Sequence, residues 1–181
     1  NRIDLKKISV GASENIIMAA SLAKGETEIN NIAIEPEVID LIKCLKSMGS
    51  EIEFIDDRKI LIQGKDTLKG TSHNVIPDRI ETGTYMIAGA LIGKNLNIQN
   101  IEEEHIQNIL SVFRELKIDF KLDGNCISLS KSDVDLGINL KTEEYPGFPT
   151  DLQAQMMVLL SKSSKSSSII ENIFENRFMH V

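Results

Sequence analysis

The chain has 181 residues, 41% of them apolar and only 4% aromatic with no Trp, so its core must come from Ile, Leu, Val, Met and Ala. It contains no run of roughly 18 apolar residues, which excludes a membrane-spanning helix, and its net charge of −7 argues against a broad nucleic-acid surface. Cys44 and Cys126 lack CxxC spacing, which fits a reducing cytoplasm better than a disulfide framework.

The first residues, Asn1-Arg2-Ile3-Asp4, have neither an initiator Met nor a signal-peptide layout. We therefore expect a chain that begins inside a longer product. Lys6 to Val10 reads as a short opening strand, followed by a nearly all-apolar helix from Asn15 to Lys24. Then come a strand ending at Asn31-Ile32 and an amphipathic helix carrying Val38, Leu41, Ile42, Leu45 and Met48. A hairpin follows, with Glu51 to Ile55 alternating, Asp56-Asp57-Arg58 turning and Lys59 to Ile62 returning.

The same order then recurs. His73 to Ile76 predicts a strand, Thr84 to Gly93 an apolar helix, and Ile106, Ile109, Leu110, Phe113 and Leu116 an amphipathic one. Ile118 to Leu122 turns at Asp123-Gly124 and returns through Cys126 to Leu129. A third round starts with Ile138 to Lys141 and an apolar helix from Gln153 to Ser161, and stops at Val181 inside its second helix. Polar links at 65–70 and 130–137 separate the rounds. Asn-Ile marks each one, at Asn31, Asn100 and Asn172, roughly 70 residues apart. Every Asn-Ile follows an Ile two residues earlier (Ile29, Ile98, Ile170) and precedes an acid (Glu35, Glu104, Glu175).

This is a repeated βαβαββ unit. Helices apolar on all sides belong in an interior, which predicts an α/β fold of inside-out barrel type, helices within and sheets as walls, and incomplete here. His73, His105 and His180 show no metal-ligand spacing, and the sequence indicates no cofactor. Cys44 and Cys126 read as packing residues.

Three segments open the apolar helices. In Lys7-Ile8-Ser9-Val10-Gly11-Ala12-Ser13, a small-residue turn before a helix could hold a diphosphate on free N–H groups, although turning and capping by Gly11 and Ser13 explain the same residues. In Pro77 to Thr84, Asp78 and Glu81 have capping-box spacing, and Arg79 could meet a phosphate or a neighbouring acid. In Phe148 to Gln155, Thr150 and Gln153 have the same spacing. Asp151 falls in the first helical turn, where the dipole favours an ionised carboxylate able to act as a base. Arg177, in the closing segment, could bind phosphate or carboxylate in a bidentate way or pair with a surface acid.

Together PDRIETGT (77–84), FPTDLQAQ (148–155) and ENRFMHV (175–181), with KISVGAS (7–13) upstream, resemble the signature stretches of the UDP-N-acetylglucosamine enolpyruvyl transferases. The resemblance runs across essentially the whole chain. It implies two inside-out α/β domains that transfer the enolpyruvyl group of phosphoenolpyruvate to the 3-hydroxyl of UDP-N-acetylglucosamine through a tetrahedral adduct, with release of phosphate. It implies further that Asp151 contacts that hydroxyl and accepts its proton. Lys7, Ile8, Ser9 and Val10 would line the uridine-diphosphate site, the backbone of Ile173 would contact the nucleotide sugar, and Arg177 would lie near the reacting groups. The family's N-terminal Lys-Asn pair, cysteine loop and C-terminal Asp/Arg cluster have no counterpart here, so the rest of the polypeptide is needed to complete the site. By the same resemblance, residues 1–75 are the closing repeat of one domain, and residues 76–181 are the opening one and a half repeats of the next. The alternatives are a shikimate-pathway enolpyruvyl transferase, which shares the fold, and a non-catalytic truncated repeat module.

Overall fold

A computed structural model describes residues 1–181. The chain divides into two compact units, Asn1–Ile76 and Pro77–Val181. No helix is long and apolar enough to cross a membrane.

The first unit runs β1 (Arg2–Asp4), α1 (Val10–Ser21), β2 (Glu26–Asn30), α2 (Pro36–Ser47), β3 (Glu51–Asp56) and β4 (Lys59–Gln63). Its four strands lie in the order β1-β2-β4-β3. β1 and β2 are parallel, joined through α1, and the other pairings are antiparallel. The register sets Ile29 opposite Ile60 and Ile52 opposite Ile62. All four are buried with Ile17 of α1 and with Val38, Ile42 and Leu45 of α2. The two-residue alternation of the strands and the three-to-four spacing of α2 thus meet in one core.

The second unit holds α3 (Arg79–Ile92), β5 (Leu96–Gln99), α4 (Gln107–Glu115), β6 (Phe120–Asp123), β7 (Cys126–Leu129), β8 (Asn139–Lys141), α5 (Gln153–Leu160) and β9 (Ser168–Ile170). β5, β7 and β6 make an antiparallel sheet with β7 central, and β8 pairs with β9 in parallel. The core is centred on Phe113, whose ring lies 6.4 Å from that of Phe120, and includes Met86, Ile109, Leu110, Leu152 and Met156.

The structure gives the Asn-Ile repeat a cause. Asn31 and Asn100 sit at φ 64° and 59°, a left-handed conformation that asparagine tolerates better than most residues. Each ends a strand and drops the next Ile into the core. In both cases that Ile donates its N–H to the turn of the following hairpin, Ile32 to Arg58 O at 3.1 Å and Ile101 to Asn125 O at 3.0 Å. Asn172 does not share that φ. Its N–H is held by Thr142 Oγ1 at 3.0 Å instead.

Some expected elements lie elsewhere. The opening strand is Arg2–Asp4, not Lys6 to Val10, because Ser9 caps α1 and makes Val10 its first residue. His73 to Ile76 forms no strand; the His73 ring is drawn instead to Asp40 of α2, Nε2 to Oδ2 at 3.0 Å. Residues 175–180 form turns rather than a second helix. The apolar helices are also not covered on every side: Met18 and Leu22 near α1, Tyr85 and Ile92 of α3, and Val158 of α5 are exposed.

Candidate functional site

In the first unit, Lys7 and Ser9 are exposed, and Ile8 and Val10 are half-buried. Ser9 has extended backbone, and its hydroxyl accepts the Ala12 N–H at 3.3 Å. The helix entry is therefore capped by Ser9, and not by Gly11 and Ser13 as the sequence suggested. Ser13 has another task. Fully buried, it donates to Ser9 O at 2.7 Å and accepts the Ala33 N–H at 2.8 Å, tying α1 to the approach of α2. A Cβ at Gly11 would meet nothing within 4 Å, so the surface over the first turn of α1 is open.

In the second unit, Asp78 caps α3, accepting the N–H groups of Ile80 and Glu81 at 2.7 and 3.1 Å. Arg79 is buried, with its guanidinium 5.6 Å from the centre of the Tyr145 ring. The capping box expected at Thr150 and Gln153 is absent. Thr150–Leu152 form a 3-10 turn ahead of α5. Thr150 Oγ1 donates to Glu171 Oε2 at 2.8 Å, and Gln153 Nε2 faces Met157 Sδ.

Asp151 stands in that turn between buried Thr150 and fully buried Leu152. Arg177 Nη2 donates to its Oδ1 at 2.8 Å, with the two side chains 56% and 41% exposed. An ion pair so exposed contributes little stability, so its geometry matters more for what it offers a ligand. The Arg177 guanidinium also lies 5.4 Å from the centre of the Phe174 ring. The fold thus unites Asp151 and Arg177, two of the sequence candidates, from positions 26 residues apart.

Sequence reasoning missed Glu171, at the centre of this cluster. Its Oε1 accepts the N–H groups of Ile173 at 2.9 Å and Phe174 at 3.1 Å, and its Oε2 the Thr150 hydroxyl. Burial alone would raise its pKa. Hydrogen bonds from Thr150, the Phe174 and Ile173 N–H groups and Thr142 outweigh that and hold the carboxyl below its usual value. A signal was present: the residue before each earlier Asn-Ile is a neutral amide, Asn30 or Gln99, whereas the third carries an acid. With its N–H committed to Glu171, Ile173 can meet a ligand through its main chain only by its carbonyl oxygen.

No group of three or more His, Cys, Asp or Glu is placed to hold a metal ion. Cys44 and Cys126 are free and half-buried, in α2 and β7.

The family of EPSP synthase (3-phosphoshikimate 1-carboxyvinyltransferase) matches residues 1–181. The UDP-N-acetylglucosamine 1-carboxyvinyltransferase of Pelagibacter ubique is 50% identical over 99% of this chain and 43% of its own length. That of Halothermothrix orenii is 46% identical over 99% of the chain and 43% of its own length. The enolpyruvyl transferase NikO from Streptomyces tendae superposes with a TM-score of 0.86 at 19% identity, over 98% of this chain and 45% of NikO, a likeness of fold. The chain thus spans less than half the length of these proteins. With every residue matched by one family and its fold that of an enolpyruvyl transferase, the chain belongs to the EPSP synthase family, and its curated relatives there are named UDP-N-acetylglucosamine 1-carboxyvinyltransferases.

Proposed function

We propose that this chain is the central part of a cytoplasmic enzyme of peptidoglycan synthesis, one that transfers the enolpyruvyl group of phosphoenolpyruvate to the 3-hydroxyl of UDP-N-acetylglucosamine. The observation that carries this is the Asp151–Arg177 pair, on a turn pinned by buried neighbours. A sugar hydroxyl becomes a useful nucleophile only as its proton leaves, so a carboxylate must stand within hydrogen-bond reach. Arg177 occupies Oδ1 of Asp151 and leaves Oδ2 for that proton. The arginine stays charged throughout and can stabilise the anionic phosphate or carboxylate of the second substrate as the tetrahedral adduct forms.

Lys7, Ile8, Ser9 and Val10 are assigned to the uridine-diphosphate site. An exposed lysine beside the open N-terminal turn of a 12-residue helix suits a diphosphate. Ile173 is assigned to the nucleotide sugar through its carbonyl. Residues 1–75 close one domain and 76–181 open the next, an assignment supported by the division of the chain after Ile76.

The test is phosphate release from the two substrates. In the complete enzyme carrying this chain, D151N lowers kcat by about 10²- to 10⁴-fold, the usual worth of a positioned base. The 181-residue chain alone releases none. Normal turnover by the D151N enzyme would remove Asp151 as the base. Turnover of shikimate 3-phosphate with no turnover of UDP-N-acetylglucosamine would overturn the substrate assignment.

A further inference from the structure

Glu171 has no role in the chemistry described so far, yet it joins the two segments that carry Asp151 and Arg177. One oxygen accepts the Thr150 hydroxyl at 2.8 Å, immediately before Asp151. The other accepts the N–H groups of Ile173 at 2.9 Å and Phe174 at 3.1 Å, at the start of the turn that leads to Arg177. The Phe174 ring in turn lies against the Arg177 guanidinium, 5.4 Å away. Thr142, fully buried at the end of β8, completes the clasp: its hydroxyl bonds to Glu171 and accepts the Asn172 N–H at 3.0 Å.

We propose that Glu171 is a positioning residue: its carboxylate clamps the Thr150–Leu152 turn to the segment carrying Ile173 and Arg177, and so fixes Asp151 against the guanidinium and the sugar. This rests on the function proposed above and adds a residue to it. Two exposed side chains such as Asp151 and Arg177 cannot fix their own separation, because solvent competes for both. A half-buried carboxylate with four donors can. Those donors are drawn from three chain segments, so losing the carboxylate frees the segments from one another. Glutamine keeps the reach and can still accept both N–H groups with its carbonyl, while its NH₂ meets a threonine hydroxyl turned to accept. Alanine keeps none of this.

The variants are made in the complete enzyme. E171A lowers kcat with UDP-N-acetylglucosamine by about 10- to 100-fold, the scale of an ångström-sized misplacement. KM for phosphoenolpyruvate stays within about twofold, and E171Q recovers most of the lost kcat. T150A, which removes only the link to the turn, lowers kcat less. Combined with E171A it adds nothing, because both break the same connection. In the 181-residue chain itself, the Ile173 and Phe174 amides exchange more than about 10-fold faster in E171A than in the unsubstituted chain, with β5 to β7 unchanged. Exchange that is equal at both amides overturns the clamp, whether or not the enzyme uses this sugar. So does an E171A enzyme with normal kcat, or full additivity with T150A. A D151N enzyme with normal kcat, alongside faster exchange in E171A, would instead refute the proposed base and leave the clamp standing.

Discussion

Replacing Ser13 with alanine isolates one buried hydrogen bond in the first unit, and its cost can be worked out from the contacts. The Ser13 hydroxyl accepts the Ala33 N–H at 2.8 Å, and both residues are fully buried. Without it that N–H keeps its desolvation and loses its acceptor, a loss of about 1–3 kcal/mol. The space vacated by one hydroxyl is smaller than a water molecule needs, so no solvent replaces it. Ser9 O loses the Ser13 hydroxyl but keeps the Ser13 N–H at 2.9 Å, so little is lost at that end. Alanine's better helix propensity returns about 0.5 kcal/mol. The net loss is about 1–2 kcal/mol, a 5- to 30-fold faster exchange of the slowest amides in β2 and β4. Exchange is the right assay because Tyr85 and Tyr145 both lie in the second unit and there is no Trp, so fluorescence is silent on the first. S47A serves as the control, since that exposed hydroxyl bonds only to Cys44 O. If S13A exchanges no faster than S47A, the buried acceptor does not hold α1 to Ala33 in the way described.

Phe113→Ala empties the centre of the second core, where the ring is fully buried, and lowers the stability of that unit by about 3–5 kcal/mol in urea unfolding followed by tyrosine fluorescence; a loss below about 1 kcal/mol would mean that the ring is not packed as seen. Glu14→Gln acts through pH: burial, then the nearby Glu37 and Glu35, hold the Glu14 carboxyl above its usual value, so the folded state resists its ionisation. The penalty is absent below the unfolded value of about 4.3 and grows as pH rises through the raised folded value, so E14Q stabilises the first unit at pH 7 and loses that advantage near pH 4. Equal gains at both pH values would exclude the electrostatic cause.

What the sequence revealed and what it hid divide along a physical line. Alternation in β4 and β7 and the spacing of Leu110 and Phe113 were legible because periodicity directly reports which face is buried. The β6–β7 hairpin was legible too, although its turn is Gly124-Asn125 and Asp123 still pairs with Cys126. The starts of elements were not. Ser9 could have been a strand residue or a cap, and only the hydroxyl's contact with Ala12 decides between them. Thr150 and Gln153 had the right spacing for a capping box, yet Glu171, 21 residues further on, took the threonine instead. Local spacing cannot report a competitor brought in by the fold. Asp151 and Arg177 could be named as candidates, but their pairing depends on that same long-range clasp.

The low amphipathicity of α5 bears on where the carboxylate sits. A helix with no polar face offers no preferred side for solvent, so an exposed carboxylate fits best at its end. Asp151 stands there, between Thr150 and Leu152, whose side chains are buried while its own is not. Leu152 can sink that far only because α3 carries a glycine opposite it: a Cβ at Gly83 would lie 2.5 Å from Leu152 Cδ1 and 2.3 Å from Ile109 Cδ1. Ile109 and Leu152 are themselves buried, so a side chain at Gly83 would have to displace the ends of both. The glycine of PDRIETGT and the leucine of FPTDLQAQ are therefore two halves of one contact, and its result is a fixed backbone under an exposed acid. That links two motifs about 70 residues apart through packing, and it sets buried neighbours beneath the carboxylate proposed as the base.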